Sequence, residues 1–550
     1  MDKRKKQIKY YCDILKENEI LLLESSDKYF KSHYSSSPLS TLTGFLGSAG
    51  EAVIEKSGKI VLFVDTRYHL LVDKQVFDDI EVVKLPLGVT FLEAIKNRYK
   101  KNTILHLSNN ILLKTFLEYE KHFDLRRYTP DKKYLKNVEC DLKSTIFEVS
   151  ESIEKMSFLE KIAKLKKMCP NISRLLVFNL DNISYLSNLR SFQMRYSSNF
   201  KSILFLDLKN SNHILFCDKL PKKIKIDGLN NMPLDEYEEF IKSLKGEVFV
   251  DINEISVSDY LLIKNPKELK ENKLSFLASI KSPSVLEDVK KSFNKLDKAF
   301  FAFKNRVKAG LSEYDLSKIF EEELIKAGAC GLSFKTILAI DENSASIHYS
   351  TSDKNKTLKD ESLILLDCGG YWENGYATDI TRTFYFGNNP KQIHKKIYTK
   401  VLKAFLACYL SKETNAKKLD KIARDYLADE EKNGFSFAHG LGHGIGTSVH
   451  QAPPTLSINS KDTIKPFQVH SIEPGLYGKC RKTKEEFGVR IENCVYSDLN
   501  FYKISMSKFP FEEVLIDYSM LDKKEIETIK NWQKDFNENN WNYQFTKWFS

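Results

Sequence analysis

Hydrophobic and polar positions fall into three successive patterns along the chain. In the first block, roughly 1–150, apolar residues at helical spacing predict an amphipathic helix over 3–17, and the apolar run 20–23 predicts a short buried strand. Residues 52–54 and 59–64 read as a hairpin around the turn Lys56-Ser57-Gly58, followed by a helix over 90–99 and a strand over 103–107. The second block, roughly 151–278, repeats that order. It predicts a helix over 151–168, a strand over 175–180, a hairpin of 202–206 with 213–216, a helix over 234–244 and a strand over 248–251. The two blocks read as diverged copies of one α/β unit.

The third block, 279–550, opens with helical periodicity over 284–309 and 313–327 and continues as strands alternating with glycine-rich turns. Its tail from 515 onward is charged and helical in pattern. The aromatic residues Trp532, Trp541, Phe545, Trp548 and Phe549 there read as a docking face. The fold class is therefore α/β (α+β), with domains at 1–150, 151–278 and 279–550.

Composition narrows the function classes. With 550 residues, 42% hydrophobic and 29% charged, the chain suits a soluble protein of two to four domains. The net charge of +11 comes from scattered lysine, with runs as short as Lys3-Arg4-Lys5-Lys6, so no nucleic-acid partner is expected. Nine cysteines, odd in number and without a Cys-x-x-Cys pair, fit a reduced, cytoplasmic setting. The charged amino terminus does not read as a signal peptide, and no apolar run reaches membrane-spanning length.

The third block holds the chemistry. The apolar run 363–367 ends in Asp367, and Glu373-Asn374-Gly375 reads as a turn before Thr378-Asp379-Ile380-Thr381-Arg382-Thr383. A hairpin there would set Asp367 and Asp379 side by side, which like charges resist without a cation. Next come His439-Gly440-Leu441-Gly442-His443-Gly444-Ile445-Gly446, whose glycines let backbone approach closely, and His450 seven residues after His443. Glu473 lies before Pro474-Gly475 at a strand end, and Glu492 follows Arg490 in an apolar strand. Each piece alone is weak, since a buried Asp could simply pair with Arg382 or Arg490. Together Asp367, Asp379, His443, Glu473 and Glu492 offer four carboxylates and one imidazole. That set balances two divalent cations and favours Mn²⁺ or a similar hard ion.

At these residues the chain resembles the pita-bread metallopeptidases, the family of methionine aminopeptidase, prolidase, aminopeptidase P and creatinase. The five residues match that family's metal ligands one for one. The long, three-domain aminopeptidase P branch fits best. Thr43-Gly44-Phe45-Leu46-Gly47-Ser48-Ala49-Gly50 and Asp65-Thr66-Arg67-Tyr68 resemble its first domain, and Asp181-Asn182-Ile183-Ser184-Tyr185-Leu186 through Arg190 its second. Glu513-Val514-Leu515-Ile516-Asp517 resembles its carboxy-terminal extension. The resemblance implies two related creatinase-N-like α/β domains before a pita-bread catalytic domain, and a homodimer. Departures are the spacing of twelve between Asp367 and Asp379, one above the family's usual, and the short gap from His443 to His450.

The implied activity is cleavage of the bond between an amino-terminal residue and a penultimate proline, by a hydroxide bridging two metal ions. In that scheme Glu473 shuttles the proton, His450 donates to the developing oxyanion, and His348 contacts the peptide and helps protonate the leaving nitrogen. His439 lines the proline pocket, and Arg490 orients the ligand carboxylates. A tertiary amide to proline has no N–H, so a pocket shaped for the ring gives selectivity. The alternatives are a prolidase acting on Xaa-Pro dipeptides and, from another class, an inactive peptidase-like protein-binding module.

Overall fold

The computed structural model describes residues 3–25, 37–134 and 144–538. They form two compact units, one drawn from 1–149, 155–195 and 199–278, the other from 150–154, 196–198 and 279–550.

The first unit contains two six-stranded sheets. Strands β1 (Glu19–Glu24), β2 (Gly50–Glu55), β3 (Ile60–Val64), β4 (Ile80–Lys84), β5 (Ile104–Ser108) and β6 (Asp124–Tyr128) lie in the order β4-β3-β2-β1-β5-β6. Strands β7 (Arg174–Val177), β8 (Ile203–Asp207), β9 (His213–Phe216), β10 (Leu229–Met232), β11 (Val248–Val250) and β12 (Pro266–Glu268) lie in the order β10-β9-β8-β7-β11-β12. The two orders are the same. So are the pairings: three central strands run antiparallel, and both edges are added in parallel. Tight turns permit the antiparallel neighbours, whereas the parallel ones need longer crossovers. The repeat read from the sequence is thus a repeat of topology. Val53, Val61 and Leu105 share one core with Phe205, Phe216 and Val250.

Two boundaries in this unit differ from expectation. The helix predicted from 151 runs Phe158–Met168, because Ser157 and Glu160 form a capping box at its start. Residues 150–154 belong instead to the second unit, where Glu154 accepts from the Tyr376 hydroxyl at 2.5 Å. The strand predicted over 175–180 stops at Val177. Asn179 caps the helix Leu180–Ser187 by accepting from the N–H groups of Asp181 and Asn182.

The second unit opens with helix α1 (Pro283–Lys304), capped by Ser282. Its Val285, Val289, Phe293, Leu296, Phe300 and Phe303 are buried at helical spacing. Helix α2 (Glu313–Lys326) follows. Strands β13 (Ile337–Ile340), β14 (Ser362–Cys368) and β15 (Ile380–Phe386) make one antiparallel sheet. Strands β16 (Gly442–His443), β17 (His470–Ile472), β18 (Gly475–Lys479), β19 (Glu486–Arg490) and β20 (Asn493–Ser497) supply the rest of the centre. Helices α3 (Gln392–Leu410) and α4 (Ala416–Leu427) cover it, with Ile397, Val401 and Leu419 in a core with Leu476, Val489 and Ile491.

Among its described residues the tail forms two short 3₁₀ turns and then helix α5 (Lys523–Glu538). Trp532 is buried against Phe405, Tyr409 and Phe511, a packing role consistent with the docking face, whereas Trp541, Phe545, Trp548 and Phe549 lie outside the described residues. Among the described residues no helix is long and apolar enough to cross a membrane.

Candidate metal centre

The centre is built on the β14–β15 hairpin. Asp367 pairs with Thr381 and Cys368 with Ile380, and the same register continues to a bridge between Tyr371 and Ala377. Side chains alternate between faces, so Thr381 and Asp379 lie on the face of Asp367. A common register therefore spans the twelve-residue spacing, with the ladder broken at Gly369 and Asp379, and the remaining chain turns at 372–376. Gly375 adopts φ +74° there and donates to the Trp372 carbonyl at 2.7 Å.

The other three residues arrive on separate strands. Gly442 and Ser471 are so close that a Cβ on Gly442 would sit 2.3 Å from the Ser471 carbonyl oxygen. This approach lets the His443 N–H donate to Ser471 Oγ at 3.0 Å, while that hydroxyl donates to Glu473 Oε1 at 3.2 Å. Glu473 N–H donates to the Leu441 carbonyl at 2.8 Å. Glu492 is not inside a strand, as its apolar surroundings suggest. It sits in the link between β19, which pairs with β18, and β20, which pairs with β17. The chain changes sheets at that point, and the Glu492 N–H donates to the Thr381 carbonyl at 3.1 Å.

The side chains converge. His443 Nε2 is 3.3 Å from Glu473 Oε1 and 3.7 Å from Asp379 Oδ2. Asp379, His443 and Glu492 each present a ligand atom within 4.8 Å of the others, a spacing that could hold a cation. Asp367 Oδ2 accepts from Arg490 Nη2 at 2.6 Å. The same guanidinium donates through Nε to Thr381 Oγ1 at 3.0 Å, and Thr381 donates to Glu492 Oε2 at 2.7 Å. Arg490 thus orients two of the four carboxylates, one directly and one through a hydroxyl. Among the described residues Arg382 pairs with no carboxylate: it donates to the carbonyls of Thr381, Glu492, Phe509 and Pro510.

Protein groups alone do not balance this centre. Burial pushes the carboxyls of Asp379 and Glu492 well above their ordinary range, and neighbouring carboxylates add to the rise; Asp367 is raised by burial against the pull of Arg490. Burial also opposes ionisation of Glu473, but its contact with His443 and the charge of Arg490 outweigh it and hold its carboxyl low. One oxygen each of Asp367, Asp379 and Glu492 is buried with no hydrogen-bond partner among the described residues. His443 Nδ1 donates to the Gly444 carbonyl at 3.3 Å, so Nε2 is the nitrogen turned toward the carboxylates. Orphaned acceptors and a facing imidazole nitrogen fit a cation, and the oxygen-rich donor set fits hard divalent ions.

The remaining histidines differ. His439 is buried, with Nδ1 donating to the Gly440 carbonyl at 2.8 Å and Nε2 accepting from Tyr477 OH at 2.9 Å; burial lowers its pKa to about 4, so the ring is neutral. Tyr477 in turn accepts from Arg490 Nη1 at 2.7 Å. His450 is exposed and stands edge-on to the His443 ring at 4.2 Å between centroids. His348 is half-buried in the turn after β13.

Comparison with known proteins bears on this arrangement. Residues 287–497 match Metallopeptidase family M24, and residues 140–284 match the Creatinase/Prolidase N-terminal domain. An uncharacterised peptidase of Staphylococcus epidermidis is 30% identical over 318 residues, 54% of this chain and 85% of that protein. The chain belongs to metallopeptidase family M24. This M24 chain is also 25% identical over 573 residues to a probable Xaa-Pro aminopeptidase P of Laccaria bicolor, covering 91% of the chain and 83% of the relative. In fold it is similar to the X-prolyl aminopeptidase of Caenorhabditis elegans, described as a cytosolic enzyme with a di-nuclear active site. The TM-score is 0.85 at 19% identity, over 98% of this chain and 96% of that one. The two creatinase-N-like sheets and the pita-bread unit of the M24 chain are accordingly those expected from the resemblance.

Three contributors to the centre were not assigned from the sequence: Thr381, Ser471 and Tyr477. All are neutral hydroxyl residues, which leave no charge pattern. Only their position two residues from Asp379, two from Glu473 and at the centre of β18 could have drawn attention to them.

Proposed function

We propose that this M24 chain is a metal-dependent aminopeptidase that hydrolyses the bond between an amino-terminal residue and a penultimate proline. The observation that carries the reading is the convergence of four carboxylates and one imidazole with unpartnered oxygens in a chain whose long relatives are Xaa-Pro aminopeptidases. Asp367, Asp379, His443, Glu473 and Glu492 are its metal ligands, and the ions are two Mn²⁺. When bound, divalent ions supply an activated water and a Lewis acid for the scissile carbonyl.

The protein's own groups do the rest. Glu473, held low in pKa, accepts the proton of the attacking water and passes it on. His450, beside His443, donates a hydrogen bond to the carbonyl oxygen as charge develops. His348 binds the peptide and helps protonate the leaving nitrogen. His439, neutral and with both nitrogens committed, offers its ring as an apolar wall for proline. Arg490 fixes Asp367 and, through Thr381, Glu492. Residues 1–150 and 151–278 form the two amino-terminal domains and 279–550 the catalytic domain of a cytoplasmic homodimer.

The deciding experiment is an Mn²⁺-supplemented assay comparing an Xaa-Pro-Yaa tripeptide, its Xaa-Ala-Yaa counterpart and an Xaa-Pro dipeptide. Strong preference for the first is expected. Equal rates on the first two remove the proline assignment, and preference for the dipeptide makes the protein a prolidase.

A further inference from the structure

The segment that carries His348 is anchored to a carboxylate that plays no part in the chemistry above. Glu313, the first residue of α2, is fully buried. Its Oε1 accepts from the Ile340 N–H at 2.8 Å and from Asn343 Nδ2 at 3.0 Å. Its Oε2 accepts from the Tyr349 hydroxyl at 2.7 Å and from the Asp353 N–H at 2.9 Å. Two of these donors precede His348 in the chain and two follow it. Asn343 Nδ2 also reaches the Tyr349 hydroxyl, at 3.1 Å, which closes the segment on itself.

Helix capping does not account for these bonds. Ser312 already caps α2, with Asp315 completing the capping box. All four Glu313 bonds run outward to the 340–353 segment. On that segment's other side the Ile347 carbonyl accepts from Arg490 Nη1 at 3.3 Å, and the same guanidinium holds Asp367. The backbone next to His348 is therefore tied at Ile347 to the group that orients a ligand carboxylate and, on both sides of His348, to Glu313. Charge-assisted bonds of this kind are the strong ones, and an immobilised support is what keeps a reacting group within the small tolerance catalysis allows.

We propose that Glu313 is a positioning residue: its carboxylate holds the 340–353 segment so that His348 keeps a fixed place relative to the Asp367 carboxylate. The proposal rests on the aminopeptidase reading given above. Glu313→Gln tests it, because the amide keeps the size of the side chain but turns an NH₂ group toward either the Ile340 or the Asp353 N–H. On an Xaa-Pro tripeptide, kcat falls by about tenfold or more, the scale of loss when a reacting group moves by a fraction of an ångström to an ångström. KM changes little, and bound Mn²⁺ per chain stays at the wild-type value, since the four Glu313 hydrogen bonds go to Ile340, Asn343, Tyr349 and Asp353 and not to a ligand side chain. In a His348→Ala background the same substitution changes kcat by less than about twofold, the signature of two groups acting as one.

Wild-type kcat in Glu313→Gln, a His348→Ala protein with undiminished kcat, or a Glu313→Gln loss that persists in full on top of His348→Ala would each overturn the proposal. If Glu313→Gln does not fold, Tyr349→Phe takes its place in the same cycle. It removes one of the four bonds and leaves the carboxylate charged, so a smaller loss with the same non-additivity is expected, and independent effects overturn the idea. Failure of the aminopeptidase reading registers separately, as equal cleavage of Xaa-Pro and Xaa-Ala peptides by the unsubstituted protein.

Discussion

One hydroxyl stands between two charges at the centre of this protein. Thr381 Oγ1 accepts a hydrogen bond from the Arg490 Nε–H and donates its own to Glu492 Oε2. Valine has the same shape and neither function. Thr381→Val would leave a buried carboxylate oxygen and a buried guanidinium N–H unpaired, a cost of about 1–3 kcal/mol. It would also free the Glu492 side chain to turn, and loss of such an orienting partner lowers metal affinity by roughly 10–100-fold. Urea unfolding and Mn²⁺ titration measure the two effects, and unchanged metal affinity would show that Thr381 does not hold Glu492 for an ion. This hydroxyl illustrates what was and was not legible in the chain. Asp379 and Glu492 draw attention as carboxylates in apolar surroundings, whereas a threonine between them has no distinguishing type or spacing. Its role exists only because Asp367 pairs with Thr381 across the hairpin.

Elements meet here at distances that side chains decide. The approach of β16 to β17 depends on Gly442 having no Cβ. Gly442→Ala should push the strands apart, separate His443 from Glu473 and cost about 1–3 kcal/mol by overpacking. Gly331→Ala, with nothing within 4 Å of the added carbon, is the control. Equal melting temperatures for the two variants would refute the close-approach argument. Helix α1 makes a different kind of contact: Asp297 accepts from Ser507 Oγ at 2.6 Å and from the Lys508 N–H at 3.0 Å. Burial lifts this carboxyl to about 6, although those donors and Arg382 pull it down. The folded value lies above the unfolded value of about 3.9, so the native state binds this proton more tightly. Its stabilising contribution is complete below about pH 4 and is lost as pH rises through about 6. Relative to Asp297→Asn, the wild-type urea midpoint should therefore decline across that window. A gap that does not vary with pH would exclude this titration. The helix around Asp297 was predictable from periodicity, but a buried Asp on its apolar side was not.

At the scale of the whole molecule, binding at the centre is linked to folding. Ligands from β14, from β16 and from the links before β15 and after β17 and β19 come together only in the native state, so an ion that binds them stabilises that state by mass action. Chelation should lower the melting temperature and Mn²⁺ should restore it, by about 2.7 kcal/mol when free metal exceeds its Kd a hundredfold. The Asp379→Ala protein should fold, bind little metal and show neither response. If it melts like the metal-loaded wild type and still responds to chelator, the ions sit elsewhere.

By itself the sequence determined the chemistry available to this protein. Carboxylates and histidines among glycines in the third block, and a repeated α/β pattern before it, were legible because charge and periodicity are properties of residue type and spacing. The tertiary structure alone decided how those groups are held. The common strand order of the two amino-terminal sheets, the change of sheet at Glu492, the Arg490–Thr381–Glu492 relay and the Glu313 anchor all depend on register and hydrogen-bond direction between segments far apart in the chain. Such bonds form at about 3 Å or not at all, and no one-dimensional pattern encodes which distant backbone will arrive at that distance.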